Sequence, residues 1–522
     1  MASTALFLLV VFPFVGAAIA ALLKDYGRVW ALLVSFLSFV CALVVMLGIN
    51  GGPVRWGYEP NNPVAFSDIG FGMKLSCDAI SGWLALMTSG LFPLVLLATG
   101  TKIDSQSNGR FFYAWMLVLL GSILGALVAG DGLLFYFCFE LTLVPSLLLI
   151  GGWGGLKRKE AAAKFFIYTF AGSIFLLIGL IYLGAKAGSF DITAMTAAAQ
   201  NPAVVSTHAR YWLCLAFLVG FLIKTPVFPL HTWQALTYSE SPQTVAAILS
   251  AILSKLGTYG LLRLTLPIGF VAGGYNEGIL NVVVVLCLIS IIYGGLIAWV
   301  QKDMARVLAF SSLSHLALCV LAILGQGTIG LQGAVAYMLA HGLSTTALFL
   351  IVAAIQDRTG TKDMSQISGL FARMPVLCTL LVIFTMASIG LPITSGFVGE
   401  FLSLQGVDLN FGLTVVAIAA LGMILGAIYM LNMVARVGFG PLVAPEGADL
   451  RDLGAREITA LVPIAVAVFA LGIAATPVLD SFKHDVVAVR TPLVSTMASA
   501  GADAASQANY PHDEGIYFNQ AK

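Results

Sequence analysis

Gly220-Phe221-Leu222-Ile223-Lys224-Thr225-Pro226 sets a lysine and a proline inside a run otherwise apolar enough to cross a membrane. Proline lacks the N–H that would continue a helix and clashes with the preceding turn, so Pro226 breaks or kinks this span beside the lysine. The carbonyls freed there need water or neighbouring groups, which suits a hydrated cavity and not a lipid face. A charge near the bilayer midplane costs roughly 2.5–3.5 kcal/mol even on a mild insertion scale. Such a lysine is expected to face the protein interior and to have a task.

Working outward, apolar runs of spanning length fill the chain. They lie near 4–22, 29–48, 80–99, 111–129, 131–150, 163–184, 211–230 and 243–265, then 278–299, 305–324, 330–354, 377–405, 411–435 and 457–477. About fourteen transmembrane helices in an all-α polytopic membrane protein follow. The composition agrees: 59% of the 522 residues are hydrophobic and 10% charged, with mean hydropathy +0.96, outside the range of soluble globular domains. A net charge of +1 leaves no basic excess for nucleic acid. The seven cysteines, 41, 77, 138, 214, 287, 319 and 378, form no C-x-x-C or Cys/His cluster. An iron–sulfur centre, a zinc site or a disulfide framework is therefore not expected. The first run has no cleavage site followed by a soluble domain and reads as a retained span.

Basic residues orient the chain. Of 26 Lys and Arg, 15 fall in the loops after odd-numbered helices, among them Lys24, Lys102, the Lys157-Arg158-Lys159 cluster, Lys302, Arg306 and Lys362. The opposite loops hold five: Arg55, Lys74, Lys186, Arg210 and Arg263. By the positive-inside rule both termini lie on the outer, periplasm-like side. Lys483, Arg490 and Lys522 belong to a polar tail. That leaves Lys164, Lys224 and Lys255 within the spans.

Four more ionisable groups join them: Glu140, His315, His341 and Glu400. Isolated, the five carboxylates and lysines would cost roughly 12–17 kcal/mol together, comparable with the stability of a whole fold. Pairing or internal water is required, and such a row describes a proton or ion path. Glu140 interrupts Leu133-Leu134-Phe135-Tyr136-Phe137-Cys138-Phe139. Lys255 sits halfway along its span, too deep to snorkel. Lys164 lies in the first turn of its helix, where snorkelling and a pathway role compete. His315 and His341 fall near mid-helix on consecutive spans, among serines and glycines. Glu400 follows a second interruption, Gly390-Leu391-Pro392-Ile393-Thr394-Ser395-Gly396. Breaks near Pro226 and Pro392 are five helices apart. Paired interruptions of this kind point to two inverted five-helix repeats, helices 4–8 and 9–13, with helices 7 and 12 broken. The organisation expected is residues 1–110 (helices 1–3), 111–265 and 266–440 (the repeats, each a half-channel), 441–480 (a last helix) and 481–522 (a poorly ordered polar tail).

Several of these stretches carry a family likeness. Phe139-Glu140 through Pro145 and Gly151-Gly152-Trp153-Gly154-Gly155, Ala163-Lys164-Phe165-Phe166-Ile167-Tyr168-Thr169, and Lys224-Thr225-Pro226-Val227-Phe228-Pro229-Leu230-His231-Thr232-Trp233 are three. Gln301-Lys302-Asp303 through His315 and Leu391-Pro392 through Glu400-Phe401-Leu402 complete the set. Over about residues 75–440 the chain resembles the antiporter-like membrane subunits of respiratory complex I, nearest the M type. The resemblance implies that Glu140 and Lys224 form a pair whose changing separation alters the lysine's hold on its proton. It makes Lys255 the central lysine, His315 and His341 the connecting polar axis, and Glu400 the terminal group of the exit half-channel. Glutamate at 400, where the L and N types usually have lysine, favours the M type. So does the lack of a long lateral helix after residue 480.

It further implies a place in the bacterial inner membrane beside L-type and N-type subunits. NADH, FMN, iron–sulfur clusters and quinone would belong to partner subunits, with no cofactor in this chain. One departure stands out: Gln234-Ala235-Leu236-Thr237-Tyr238-Ser239-Glu240-Ser241-Pro242 keeps Glu240 and Pro242 but lacks an acid and a histidine usual for the family at the inner mouth. Alternatives in the same class are the large subunit of a multi-subunit cation/proton antiporter or a membrane-bound hydrogenase. A non-pumping M-like scaffold is the alternative outside it.

Overall fold

Inside a bilayer each backbone N–H and C=O must be paired within its own segment, so apolar runs of this length become helices. The computed structural model describes residues 1–23, 26–49, 52–58, 65–66, 71–100, 103, 108–270 and 277–501. Lys24, Lys102 and Lys522 of the charge pattern lie outside them. The helices are α1 (Ala2–Leu22), α2 (Gly27–Leu47), α3 (Ala79–Ala98), α4 (Gly109–Val128), α5 (Gly132–Trp153), α6 (Arg158–Ala187), α7 (Ile192–Gln200), α8 (Thr207–Lys224) and α9 (Gln234–Glu240). There follow α10 (Gln243–Gly269), α11 (Glu277–Val300), α12 (Met304–Leu324), α13 (Thr328–Thr359), α14 (Pro375–Ser388), α15 (Ser395–Phe411), α16 (Leu413–Gly438), α17 (Ala455–Ile473) and α18 (Ala475–Gly501).

Among the described residues twelve helices are long and apolar enough to cross a membrane: α1–α6, α10–α13, α16 and α17. The runs expected at 211–230 and 377–405 are not single helices. Each is divided, as α8 with α9 and as α14 with α15. Two short antiparallel strand pairs, Val54–Trp56 with Leu75–Cys77 and Ala65–Phe66 with Phe71–Gly72, interrupt the helical pattern near the start of α3.

The inner helices differ from the outer ones in what surrounds them. α10 is buried along its whole length and α12 and α13 almost so, whereas α16 and α17 bury 28% of their apolar stretch. A helix apolar all round is stable only when other helices or lipid cover it. The three that protein covers most fully are those carrying Lys255, His315 and His341. The helix most apolar to lipid and the helix bearing the charge are thus different helices.

Two backbone junctions have the same construction. Asp131 caps α5 by accepting from the Leu133 and Leu134 N–H groups, and it forms an isolated antiparallel bridge with Asp191. Asp303 caps α12 through Ala305 and Arg306 and bridges Asp363. Each partner comes 60 residues later. Each bridge is closed by two backbone bonds: Gly132 N–H to Phe190 O (2.7 Å) and Ile192 N–H to Gly130 O (3.1 Å), against Met304 N–H to Lys362 O (3.0 Å) and Met364 N–H to Lys302 O (2.8 Å). Burial pushes the Asp131 carboxyl up to about 6, against the backbone donors and Lys74 that favour the carboxylate. The stretch joining α6 to α8 contains one half of the first bridge.

Of the polar tail expected over 481–522, residues 502–522 lie outside the described ones, and the described part is ordered as helix. From Ala475 it is helical to Gly501 and tied to the start of α3. Asp485 Oδ2 accepts the Ala79 N–H at 2.7 Å, and Ser481 Oγ accepts Trp83 Nε1–H at 2.7 Å. Polar side chains that read as solvent-bound are here spent on an orphan helix N-terminus, a need invisible in the tail's own sequence.

Candidate functional site

Lys255 owes its position to an irregularity in α10. Leu249–Leu253 is a π-helical turn and Leu261–Thr265 a second, features that commonly mark functional sites. In the first, the Ser250 carbonyl accepts Ser254 Oγ–H and Lys255 Nζ–H, each at 2.7 Å. The ammonium is thereby anchored on its own helix, only 1% exposed. Its Nζ also lies 2.6 Å from His341 Nδ1. Two nitrogens this close hold one proton between them, so Lys255 and His341 are a donor and an acceptor in direct contact.

His341 continues to His315, with ring centroids 5.5 Å apart. His315 Nδ1 meets the Tyr337 hydroxyl, and Tyr337 in turn donates to Glu400 Oε1 at 2.5 Å. Glu400 Oε1 is also 3.3 Å from His315 Nδ1. On the other side of the imidazole, Tyr429 OH lies 3.4 Å from Nε2 and donates to Ser311 Oγ at 2.9 Å. Four helices, α12, α13, α15 and α16, thus converge on one histidine.

Glycine makes that convergence possible. Gly399 allows α15 to approach the backbone of α13 at Tyr337, where a methyl group would come within 2.6 Å of Tyr337 Cα. Gly390, at φ +72°, forms the break between α14 and α15, and Glu400 Oε2 occupies the space its missing side chain leaves. Ile393 in the same break has φ +75°, an uncommon conformation for a β-branched residue and a strained one.

The first half is looser. Lys224 is the last residue of α8, where the helix ends before Pro226, so the lysine stands at the break and not within a continuous helix. A cation suits this C-terminal end of the macrodipole. Its Nζ donates to Thr142 Oγ1 at 3.1 Å, and it lies 4.7 Å from the Phe139 ring centroid and 5.9 Å from that of Phe165. Thr142 sits where α5 is interrupted, between Leu141 and Leu143. Glu140 forms no ion pair with Lys224 among the described residues, and its Oε2 is buried without a hydrogen-bond partner. Gly257, two residues past Lys255, lets α10 touch Thr225, just after Lys224.

Lys164 stands apart. Because α6 begins at Arg158, five residues earlier than the hydropathy suggested, it lies in the second turn and not the first. It is half-buried, with no hydrogen bond or ion pair among the described residues. Tyr337, Tyr429 and Thr142 were missed by the sequence reading. Tyr337 alone left a trace: it precedes His341 by four residues and so shares its face of α13.

The arrangement is a buried file of donors and acceptors, able to move a proton from Lys255 through histidines to a carboxylate. Among the described residues no group of three His, Cys, Asp or Glu is placed to hold a metal ion.

Comparison with known proteins agrees with this architecture. Residues 129–428 match the family described as NADH:quinone oxidoreductase/Mrp antiporter, TM. NADH-quinone oxidoreductase subunit M of Rickettsia typhi is 34% identical over 466 residues, covering 89% of this chain and 92% of the relative. A chain of respiratory complex I from Thermus thermophilus superposes with a TM-score of 0.83 at 28% identity, over 94% of this chain and all of that one. A chain of the Mrp complex from Dietzia sp. DQ12-45-1b reaches 0.81 at 21% identity, over 95% and 99% respectively, a likeness of fold alone. The chain belongs to the NADH:quinone oxidoreductase/Mrp antiporter family of membrane subunits and is closely related to subunit M of bacterial NADH-quinone oxidoreductase.

Proposed function

We propose that this chain is a proton-translocating subunit of an NADH–quinone oxidoreductase, driven by quinone reduction elsewhere in the complex. The observation that carries the reading is the Lys255–His341 contact of 2.6 Å, continued through His315 to Glu400, with all four side chains buried. In the cycle, Glu140 approaching Lys224 holds the lysine protonated. On withdrawal, Lys224 passes its proton towards Lys255, and the proton leaves outward from Glu400. Moving one charge against 100 mV needs roughly 2.3 kcal/mol, within reach of making and breaking one charged hydrogen bond or ion pair.

The finer architecture belongs to the same proposal. Fourteen crossings result if α8–α9 and α14–α15 each count once, with two inverted repeats over α4–α10 and α11–α16. The twin aspartate bridges support this, since they recur at the same step in each half. Both termini then face the periplasm, in the inner membrane of a bacterium, beside L-type and N-type subunits that this chain would adjoin. NADH, FMN, iron–sulfur clusters and quinone sit elsewhere in the assembly.

The test is proton uptake by vesicles containing the assembled complex, at fixed electron flux. Glu140→Gln and Lys224→Ala are expected to lower pumping with assembly intact; unchanged pumping in both would leave a scaffold. Sodium uptake in place of proton uptake would favour the antiporter reading, which shares the fold of the Mrp chain.

A further inference from the structure

We propose that Tyr337 is the group through which the proton passes from His315 to Glu400, a role that rests on the pumping assignment above and adds a residue to it. Three contacts carry the inference. The Tyr337 hydroxyl donates to Glu400 Oε1 at 2.5 Å, it meets His315 Nδ1, and its side chain is buried between α12 and α15. A phenol has one hydrogen. With that hydrogen on Glu400, the phenol oxygen faces His315 as an acceptor, so His315 must present Nδ1–H.

Tyr429 settles the other nitrogen. Its own hydrogen is given to Ser311 Oγ at 2.9 Å, which leaves its oxygen, 3.4 Å away, to accept His315 Nε2–H. When His315 carries an extra proton, both ring nitrogens therefore donate to tyrosine oxygens. In the transfer step the Nδ1–H bond breaks as a Tyr337 O–H bond forms. The original Tyr337 O–H bond breaks as the proton joins Glu400 Oε1. The imidazolium becomes a neutral Nε2–H imidazole, the carboxylate becomes the acid, and Tyr337 ends neutral as it began.

After the step its hydrogen points at Nδ1 and must turn back towards Glu400 before the next transfer. That rotation makes the link directional: Nδ1, now a base, accepts from the tyrosine until Glu400 has released its proton. The ring edges of Tyr337 against His315 and His341, with centroids at 5.8 and 6.4 Å, keep the hydroxyl in place.

The experiment compares Tyr337→Phe, Glu400→Gln and the double variant in vesicles containing the assembled complex. Protons moved per electron and the solvent deuterium effect on turnover are read at equal complex content. Phenylalanine retains the ring packing and removes the hydroxyl alone. Expected is a loss of pumping of about tenfold or more in Tyr337→Phe, below the full contribution of a positioned acid–base group because Nδ1 still lies near Oε1. The deuterium effect should change, and adding Tyr337→Phe to Glu400→Gln should cost nothing further. Wild-type pumping in Tyr337→Phe with pumping lost in Glu400→Gln would overturn the tyrosine's role and leave the assignment standing. Wild-type pumping in both would overturn the assignment, and the relay with it.

Discussion

Lys224 and Lys255 stand at the end of α8 and the middle of α10, two helices in contact, yet their surroundings are opposite. Lys224 rests on a threonine hydroxyl and two phenyl faces, and among the described residues it makes no ion pair with Glu140. Lys255 is gripped by a carbonyl and a histidine. Aromatic faces and a neutral hydroxyl hold an ammonium weakly and let it go. A short contact with a base gives the proton somewhere to travel. On the proposed pumping role, the difference teaches that one half of the molecule would change arrangement and the other would conduct.

The comparison breaks most visibly at the conducting half. Lys255→Met is expected to cut pumping in vesicles by about a hundredfold, since a relay without its first member has no local substitute. Residual pumping within a few fold of wild type would remove Lys255 from the path. Thr142→Val sharpens the other half. It deletes a hydrogen bond to a charged group worth roughly 1.5–3 kcal/mol, so Lys224 should be driven onto Glu140 and pumping should drop by about tenfold. Thr142→Ser should restore it, and a structure of the valine variant should contain a Glu140–Lys224 ion pair.

Lys164→Ala is expected to change pumping by less than about twofold, because a half-buried lysine near a helix start snorkels readily; a larger loss would extend the path to α6. The smallest effect concerns stability. The Asp131 carboxyl at about 6 lies above its ordinary value near 3.9. The folded state thus binds the extra proton, and stability falls as pH rises from about 4 through 6. Asparagine still caps a helix. Asp131→Asn should flatten the dependence of Tm on pH between about 4 and 6 in detergent, while pumping stays as in wild type.

Much of this was legible in the sequence, for a physical reason. Hydropathy reports lipid, and lipid tolerates only helices, so the spans and the two breaks at Pro226 and Pro392 could be read directly. The five deepest site residues, Lys224, Lys255, His315, His341 and Glu400, announced themselves because charge inside apolar runs is costly. Tyr337, Tyr429 and Thr142 did not. A tyrosine or threonine in a membrane helix costs little, so nothing in the pattern separates one that bridges two charges from one that packs. Helix ends were also misjudged: α6 starts inside a basic cluster that reads as loop, and α18 continues through polar residues whose partners lie on α3. The Glu140–Lys224 separation was beyond sequence altogether, since it depends on which acceptor the lysine has chosen.

The π turns of α10 carry a consequence for how this protein can fail. Each holds one residue more than an ordinary helical turn. Removing a single apolar residue such as Ile252 would let the helix revert to regular winding. The flanks would keep their facing, because the turn had already absorbed that residue. The same loss in the regularly wound stretch between the two turns, at Leu256, would turn everything on one side by about 100° relative to the other. Lys255 would point away from its histidine although every ionisable group of the row was still encoded. Inactivation by such a frame-preserving deletion would be silent to any inspection that only checks for the presence of charged residues.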